Sequence, residues 1–281
     1  MHDFAVFILS HGRSDRVYTY DTLRSRGYTG KIYIVLDDLD DEIEEYKKRF
    51  ENVVIFSKAD YARSFDIGDN GGNDKVVVYA RNAMPDIARQ CGYRYYVVLD
   101  DDYKQFLFRW ADGKKLAYSW CNNLDDLFEC MFEFLDLSGA KTVCFAQGGD
   151  FIGGVNAGTF KKRLMRKAMN VWFMDTEKPF EFLGRINEDT TTYVVYGSRG
   201  DLFFTICDVM INQVQTQANK GGLTDIYVDM GTYYKSFYTV MMSPSNVKVA
   251  MMGDKHKRIH HLINWNACTP KILNEKYRKI E

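Results

Sequence analysis

Four short apolar runs, separated by stretches long enough to form helices, set the tightest limit on how this chain folds. They occupy residues 4–9 (FAVFIL), 31–36 (KIYIVL), 52–56 (NVVIF) and 95–99 (YYVVL). A continuous apolar run suits a strand covered on both faces, the usual state of parallel strands in α/β proteins. Ser14 or Asp15 is placed to cap a helix running to about Arg26, with Gly27 and Gly30 as its stop. The charged stretch 37–50 reads as a loop and a second helix. The order β-α-β-α-β therefore predicts a parallel sheet flanked by helices.

Further along, residues 64–74 have loop composition, and 75–92 show apolar residues at helical spacing despite the β-branched Val76–Val78 and an internal Pro85. Residues 104–118 read as a hairpin turning at ADGK. Residues 122–139 form an amphipathic helix, capped by Asn122 or Asn123 and stopped by Gly139. A strand at 141–146 leads into a glycine-rich loop, QGGDFIGGVNAG (147–158). Strands are expected at 168–174, 201–206 and 246–252, and a helix within 223–242. The tail from Gly253 is basic and carries histidines.

The chain has 281 residues, enough for one large α/β domain, and no repeat or linker divides it. Its net charge of -1 provides no global field toward nucleic acid or membrane, so any polyanion contact depends on local patches. The start, Met1-His2-Asp3, lacks a basic leader region, and no apolar run reaches membrane-spanning length. The six cysteines show no CxxC pairing, which argues for reduced thiols and against a structural zinc site. A cytoplasmic protein with no membrane partner is expected.

The fourth run delivers three carboxylates, Asp100, Asp101 and Asp102. Alternation along an extended chain sends Asp100 and Asp102 to one side and Asp101 to the other. Ligands of open α/β sheets bind at the carboxyl ends of the strands. Two adjacent carboxylates are costly unless a cation offsets them, and hard ions such as Mg²⁺ or Mn²⁺ commonly bridge carboxylates to substrate phosphates. A solvated acidic turn is the competing reading, as it is for LDDLDD at 36–41.

A triplet placed after three β-α units and before a hairpin resembles the nucleotide-sugar glycosyltransferases of the GT-A fold, whose DxD motif Asp100-Asp101-Asp102 matches. The resemblance implies a GT-A-like, Rossmann-type mixed sheet with helices on both faces. Residues 1–103 would form the nucleotide-binding half, and 104–281 the acceptor half and tail. It also implies an acidic motif opening a helix in the second half, which Asn187-Glu188-Asp189 fits. Propensity alone makes TTTYVVY a strand, whereas the resemblance makes it a helix, with both acids favoured by the helix dipole. A C-terminal histidine metal ligand is implied too, with His256, His260 and His261 as candidates.

More narrowly, the ordered series ILSHGRSDRV, YIVLDD, YARN, YVVLDDDY, GGDFIGGVN and NEDTTTYV resembles the phage-type glycosyltransferases associated with TET/JBP base-hydroxylase systems. That implies transfer of a sugar, a hexose from a UDP-sugar, to a hydroxymethylated pyrimidine in phage DNA, in the host cytoplasm if the protein is phage-encoded; a protein or glycan acceptor is the alternative.

In this pattern Ser10, His11, Gly12 and Arg13 cup the nucleotide, and Asp37 or Asp38 accepts hydrogen bonds from base or ribose. Arg81 pairs with the diphosphate or with the aspartates, and Asp101 completes the donor motif. The exposed N–H groups of Gly148 and Gly149 face acceptor or sugar, or belong to a lid. Asp100 and Asp102, with His260 or His261, hold Mn²⁺ or Mg²⁺. Asp189 or Glu188 removes the acceptor proton in an inverting displacement; if neither acid reaches the acceptor, a retaining reaction is the alternative. A metal-dependent nucleotidyltransferase, which needs a third acid, and a degenerate binding module are the rival readings. Basic patches at 161–167 and 255–261 are candidates for a phosphate backbone. Trp110, Trp120, Trp172 and Trp265 are candidates to stack on a sugar or base.

Overall fold

The computed structural model describes residues 2–63, 65–68, 76–214, 226, 230–231, 233–253 and 257–270. The four apolar runs become β1 (Phe4–Leu9), β2 (Ile32–Asp37), β3 (Val53–Phe56) and β4 (Tyr95–Asp100). β1 pairs in parallel with β2 and β4, and β2 in parallel with β3. The connections run through α1 (Tyr18–Ser25), α2 (Ile43–Arg49), α3 (Lys58–Ala62) and α4 (Val78–Gln90). The expected parallel β-α unit is therefore present, with helices packed on a mixed sheet.

The hairpin strands β5 (Tyr103–Asp112) and β6 (Lys115–Trp120) lead into α5 (Leu124–Ser138) and β7 (Thr142–Gln147). Then come α6 (Gly158–Lys162), β8 (Leu164–Met165), β9 (Asn170–Asp175), α7 (Glu188–Ser198) and β10 (Phe203–Gln213). The strands form one mixed sheet in the order β3-β2-β1-β4-β9-β7-β10-β5-β6, with β8 pairing β10. β9 runs antiparallel between β4 and β7, so elements of the second half are built directly onto the strand that carries the acid triplet.

Period-2 geometry divides the core between the two faces of the sheet. Ala5, Phe7, Leu9, Tyr96 and Val98 pack with α4 and Trp172 on one face. Val6, Ile8, Val97 and Leu99 pack with Phe128 and Phe132 of α5 on the other. Each such fully buried side chain stabilises the fold by roughly 1.5–3 kcal/mol. α5 is bounded as its sequence suggests: the Asn123 side chain accepts the Asp126 N–H at 3.2 Å, and Gly139 ends the helix at φ 65°.

Three expectations need correction. α1 starts at Tyr18 with no side-chain cap, and the Ser14 N–H instead donates to Glu42 Oε2 at 2.7 Å. The short helix α3 was not foreseen. The basic tail contains a strand, β12 (Arg258–Ile263), paired antiparallel with β11 (Val247–Met252). Of the helix expected at 223–242, α8 spans Tyr234–Met242. Most of 223–233, and the greater part of the expected 64–74 loop, lie outside the described residues.

Candidate active site

The site is assembled where β1, β2 and β4 end together. Asp101 is buried in the turn that follows β4, while Asp100 and Asp102 on either side are partly exposed. Asp101 Oδ2 accepts Ser10 Oγ at 2.6 Å and its Oδ1 accepts Arg13 Nη1 at 3.1 Å. Tyr46 Oη lies 2.7 Å from Ser10 Oγ and accepts the Arg13 N–H at 2.9 Å. The middle aspartate therefore holds the β1 loop from beneath. Thr19 secures the triplet backbone: its Oγ1 donates to the Asp100 carbonyl at 2.6 Å and accepts the Tyr103 N–H at 2.8 Å. Thr19 and Tyr46 escaped the sequence reading because an isolated hydroxyl in a helix carries no motif.

Asp100 stands at the cleft, partly exposed. Its carboxylate lies 3.5 Å from Arg81 Nη2 and 3.3 Å from the Tyr103 hydroxyl. The Tyr103 hydroxyl also lies 3.4 Å from Asn170 Oδ1, and Asn170 Nδ2 donates to Gln147 Oε1 at 3.0 Å. A polar line thus runs from the triplet to the glycine-rich loop. Val171, beside Asn170, is held at φ 55°. That conformation is strained for a β-branched residue by roughly 1–3 kcal/mol, the kind of outlier that clusters at functional sites. Burial, then the charges of Asp100 and Asp101, push the Asp102 carboxyl up to about 7. A carboxylate so poorly accommodated is suited to meeting a cation.

The nucleotide-side residues also converge. His11 Nδ1 lies 2.9 Å from Asp37 Oδ2 and 3.6 Å from Asp40 Oδ2. The hydrogen bond to Asp37 raises the His11 pKa against the effect of burial. Burial opposes the Asp37 carboxylate, but His11 and Lys58 outweigh it and hold its pKa low. The Gly12 N–H donates to Asp40 Oδ2 at 2.8 Å with φ at 61°, a turn that favours glycine. Asp38 Oδ1 accepts the Lys58 N–H at 3.0 Å.

On the other side of Arg81, Glu188 forms a buried ion pair with its Nη1. The guanidinium lies 5.5 Å from the ring centroids of both Trp172 and Phe182. Arg81 therefore joins Asp100 to the start of α7, and Trp172 belongs to the core. Asp189 is partly exposed, with Oδ1 2.5 Å from the Thr190 N–H. Burial raises both the Glu188 and Asp189 carboxyls, and Arg81 opposes the rise. Asn187, at φ 51°, donates through Nδ2 to the Lys235 carbonyl of α8 at 2.7 Å.

Gly148 and Gly149 begin a single 3-10 turn, Gly148–Phe151, with open space where a Cβ would lie. Beneath it, Asp150 Oδ2 accepts the Gln147 N–H at 3.0 Å and Oδ1 pairs with the Lys167 ammonium. Lys167 was read as part of a surface patch. It is buried, whereas Lys161, Lys162 and Arg163 stay exposed; Arg163 pairs with Asp208 at 3.2 Å, and Arg166 donates to the Trp265 carbonyl at 3.0 Å.

His260 and His261 lie on β12 with ring centroids 4.2 Å apart. Burial, joined by Arg258 at His260 and by His260 at His261, holds both below the ordinary imidazole value, His261 at about 4. Among the described residues no three His, Cys, Asp or Glu side chains converge as a metal cluster. His256 lies outside the described residues. Trp110 is exposed, Trp120 stacks beneath Arg26 at 3.8 Å, and Trp265 stacks on Tyr193 of α7 at 6.0 Å.

A family model described as TET-Associated Glycosyltransferase matches residues 4–222. No curated protein matches the chain. Among solved structures, a mycobacterial protein shares 10% identity over 93% of this chain and 84% of its own, with a TM-score of 0.50. Glucosyl-3-phosphoglycerate synthase from Mycobacterium tuberculosis, crystallised with Mn²⁺, UDP and phosphoglyceric acid, shares 10% over 93% and 87%, at 0.46. A nucleotide-diphospho-sugar transferase assigned in Desulfovibrio desulfuricans G20 shares 10% over 85% and 99%, at 0.42. At such identities the likeness concerns the fold alone. Among the described residues no helix is long and apolar enough to cross a membrane.

Proposed function

We propose, from the premise that this chain belongs to the TET-associated glycosyltransferase family, that it moves a sugar from a UDP-sugar to the hydroxyl of a hydroxymethylated pyrimidine in DNA, with Mn²⁺ or Mg²⁺ as cofactor. Membership makes it a nucleotide-sugar glycosyltransferase; donor, acceptor and metal are our reading. The observation that carries it is the triplet, with Asp101 buried as a brace and Asp102 lifted to about 7 beside Asp100.

The residues present fit a divalent cation. Asp100 and Asp102 offer hard oxygen donors, Asp102 is poorly accommodated as an anion, and diphosphate and water commonly complete such a shell. When bound, the ion neutralises charge on the departing diphosphate. His11 and Gly12, braced by Asp37 and Asp40, with Ser10 and Arg13, line the donor's nucleotide end. Asp38 is a further acceptor there. Gly148 and Gly149 present backbone N–H groups to the sugar or the acceptor. Glu188 is engaged by Arg81, so Asp189 is the base. It takes the proton as the acceptor oxygen bonds to the anomeric carbon and the bond to UDP breaks, inverting that carbon. The partnership with base hydroxylases supports the DNA acceptor, since hydroxylation creates the hydroxyl to be glycosylated. Membership of a glycosyltransferase family favours sugar transfer over the nucleotidyltransferase alternative.

The test is mass spectrometry of hydroxymethylpyrimidine DNA incubated with the protein, Mn²⁺ and a panel of nucleotide sugars. A hexose added to the base is expected, and Asp102→Ala should abolish both transfer and UDP-sugar hydrolysis. Sugar found on protein or free nucleoside, never on DNA, would remove the polynucleotide acceptor.

A further inference from the structure

The chain carries 37 Lys and Arg against 38 Asp and Glu. Its last described module departs from that balance. Residues 233–270 carry Lys235, Lys248, Lys255, Lys257 and Arg258 against a single acid, Asp254. The module is α8 packed on the β11–β12 hairpin, with Ser236 Oγ donating to the Ile259 carbonyl at 3.1 Å. It lies beyond residue 222, where the family match ends.

The register Lys248↔Leu262, Ala250↔His260, Met252↔Arg258 puts Lys248, Leu262, Met252 and Arg258 on one face of the hairpin, because directly opposed residues share a face and alternate rungs repeat it. All four are exposed, Leu262 at 49% and Met252 at 40%. The opposite face holds Val247, buried in the core. A solvent-facing two-stranded ribbon whose strands mix cations with apolar side chains and carry no acid, with one acid in the sequence between them, is complementary to a polyanion. Its attachment is also suggestive. Asn187, the residue before Glu188 and Asp189, is hydrogen-bonded to the α8 backbone, and Trp265, just past β12, stacks on Tyr193. The ribbon is thereby fixed to the helix that carries the candidate base.

We infer that the outer face of the β11–β12 hairpin, through Lys248 and Arg258, docks the phosphate backbone of the DNA acceptor beside the catalytic cleft. This rests on the DNA-acceptor reading above. Lys257 adds charge at the same edge, while the neutral histidines add none. Contacts of this kind position the strand without reading its sequence.

The test compares the wild type with Lys248→Gln/Arg258→Gln, and with Lys114→Gln/Lys115→Gln in the exposed β5–β6 turn as control. Affinity for hydroxymethylpyrimidine DNA, single- and double-stranded, is measured across a salt series, alongside Mn²⁺-dependent UDP-sugar hydrolysis. The inference expects the hairpin variant to bind at least tenfold more weakly and to lose about two from the salt slope. Hydrolysis should be unchanged, and the control should match the wild type. A hairpin variant that binds and modifies DNA like the wild type overturns the docking face and leaves the acceptor reading standing. Wild-type protein that hydrolyses UDP-sugar yet neither binds nor modifies DNA overturns both. Vesicles of anionic lipid that bind through the same two residues while DNA does not would reassign the face to a membrane surface.

Discussion

At the scale of single residues, the triplet divides its labour by burial. Asp101 is satisfied by Ser10 and Arg13, whereas Asp102 is lifted toward neutrality by burial and by its two neighbours. A carboxyl whose pKa rises on folding penalises the folded state as pH climbs from its ordinary value of 3.8 to about 7. Asp102→Asn should therefore raise the Tm of the metal-free protein by a few degrees at pH 8 and by nothing near pH 3.5. Mn²⁺ should stabilise the wild type far more than the variant. A thermal melt series in EDTA and in Mn²⁺ reads both effects, and a gain that does not grow with pH would refute the assignment. Asp189→Asn should lower kcat by about 10²–10⁴ with donor KM little changed. Glu188→Gln removes the direct ion-pair partner of Arg81, leaving it the more distant Asp100 and Asp189, and should cost stability as well as rate.

At the scale of elements, α7 and the glycine-rich loop show tertiary context deciding local structure. TTTYVVY is β-prone, yet it is helical because Thr190, Thr191 and Thr192 are buried and Thr192 Oγ1 accepts the Leu183 N–H at 2.9 Å. The glycine-rich loop is legible as a loop, but its anchor is not. Asp150 and Lys167 are 17 residues apart and meet only because β7 and the segment leading into β9 lie side by side. Either partner alone would be an uncompensated buried charge. Lys167→Met and Asp150→Asn should each destabilise by about 3–5 kcal/mol, with the double variant costing clearly less than the two together. Urea denaturation of all four forms checks this, and simple additivity would show that the pair does not act as a unit.

At the scale of the whole molecule, Arg81 joins Asp100 at a strand end of the first half to Glu188 of α7 in the second, so ligand binding there should stabilise the domain as one unit. UDP with Mn²⁺ at 100 times the dissociation constant should add about 2.7 kcal/mol, several degrees of Tm. UDP or Mn²⁺ alone should add much less. An equal shift from UDP alone would separate the nucleotide from the triplet. The sequence by itself determined the parallel β-α unit, the hairpin, α5 with both its caps, and the placement of the three acids at a strand end. Apolar runs, caps and turns act within a few residues and therefore leave a local signature. Only the tertiary structure decided that Asp101 braces, that Glu188 is held by Arg81 while Asp189 is left partly exposed, that Lys167 turns inward, and that the histidine tail is a strand. Those outcomes depend on burial and on partners brought together across tens of residues by the sheet order, and the electrostatics of a charge are set by what surrounds it rather than by what precedes it in the chain.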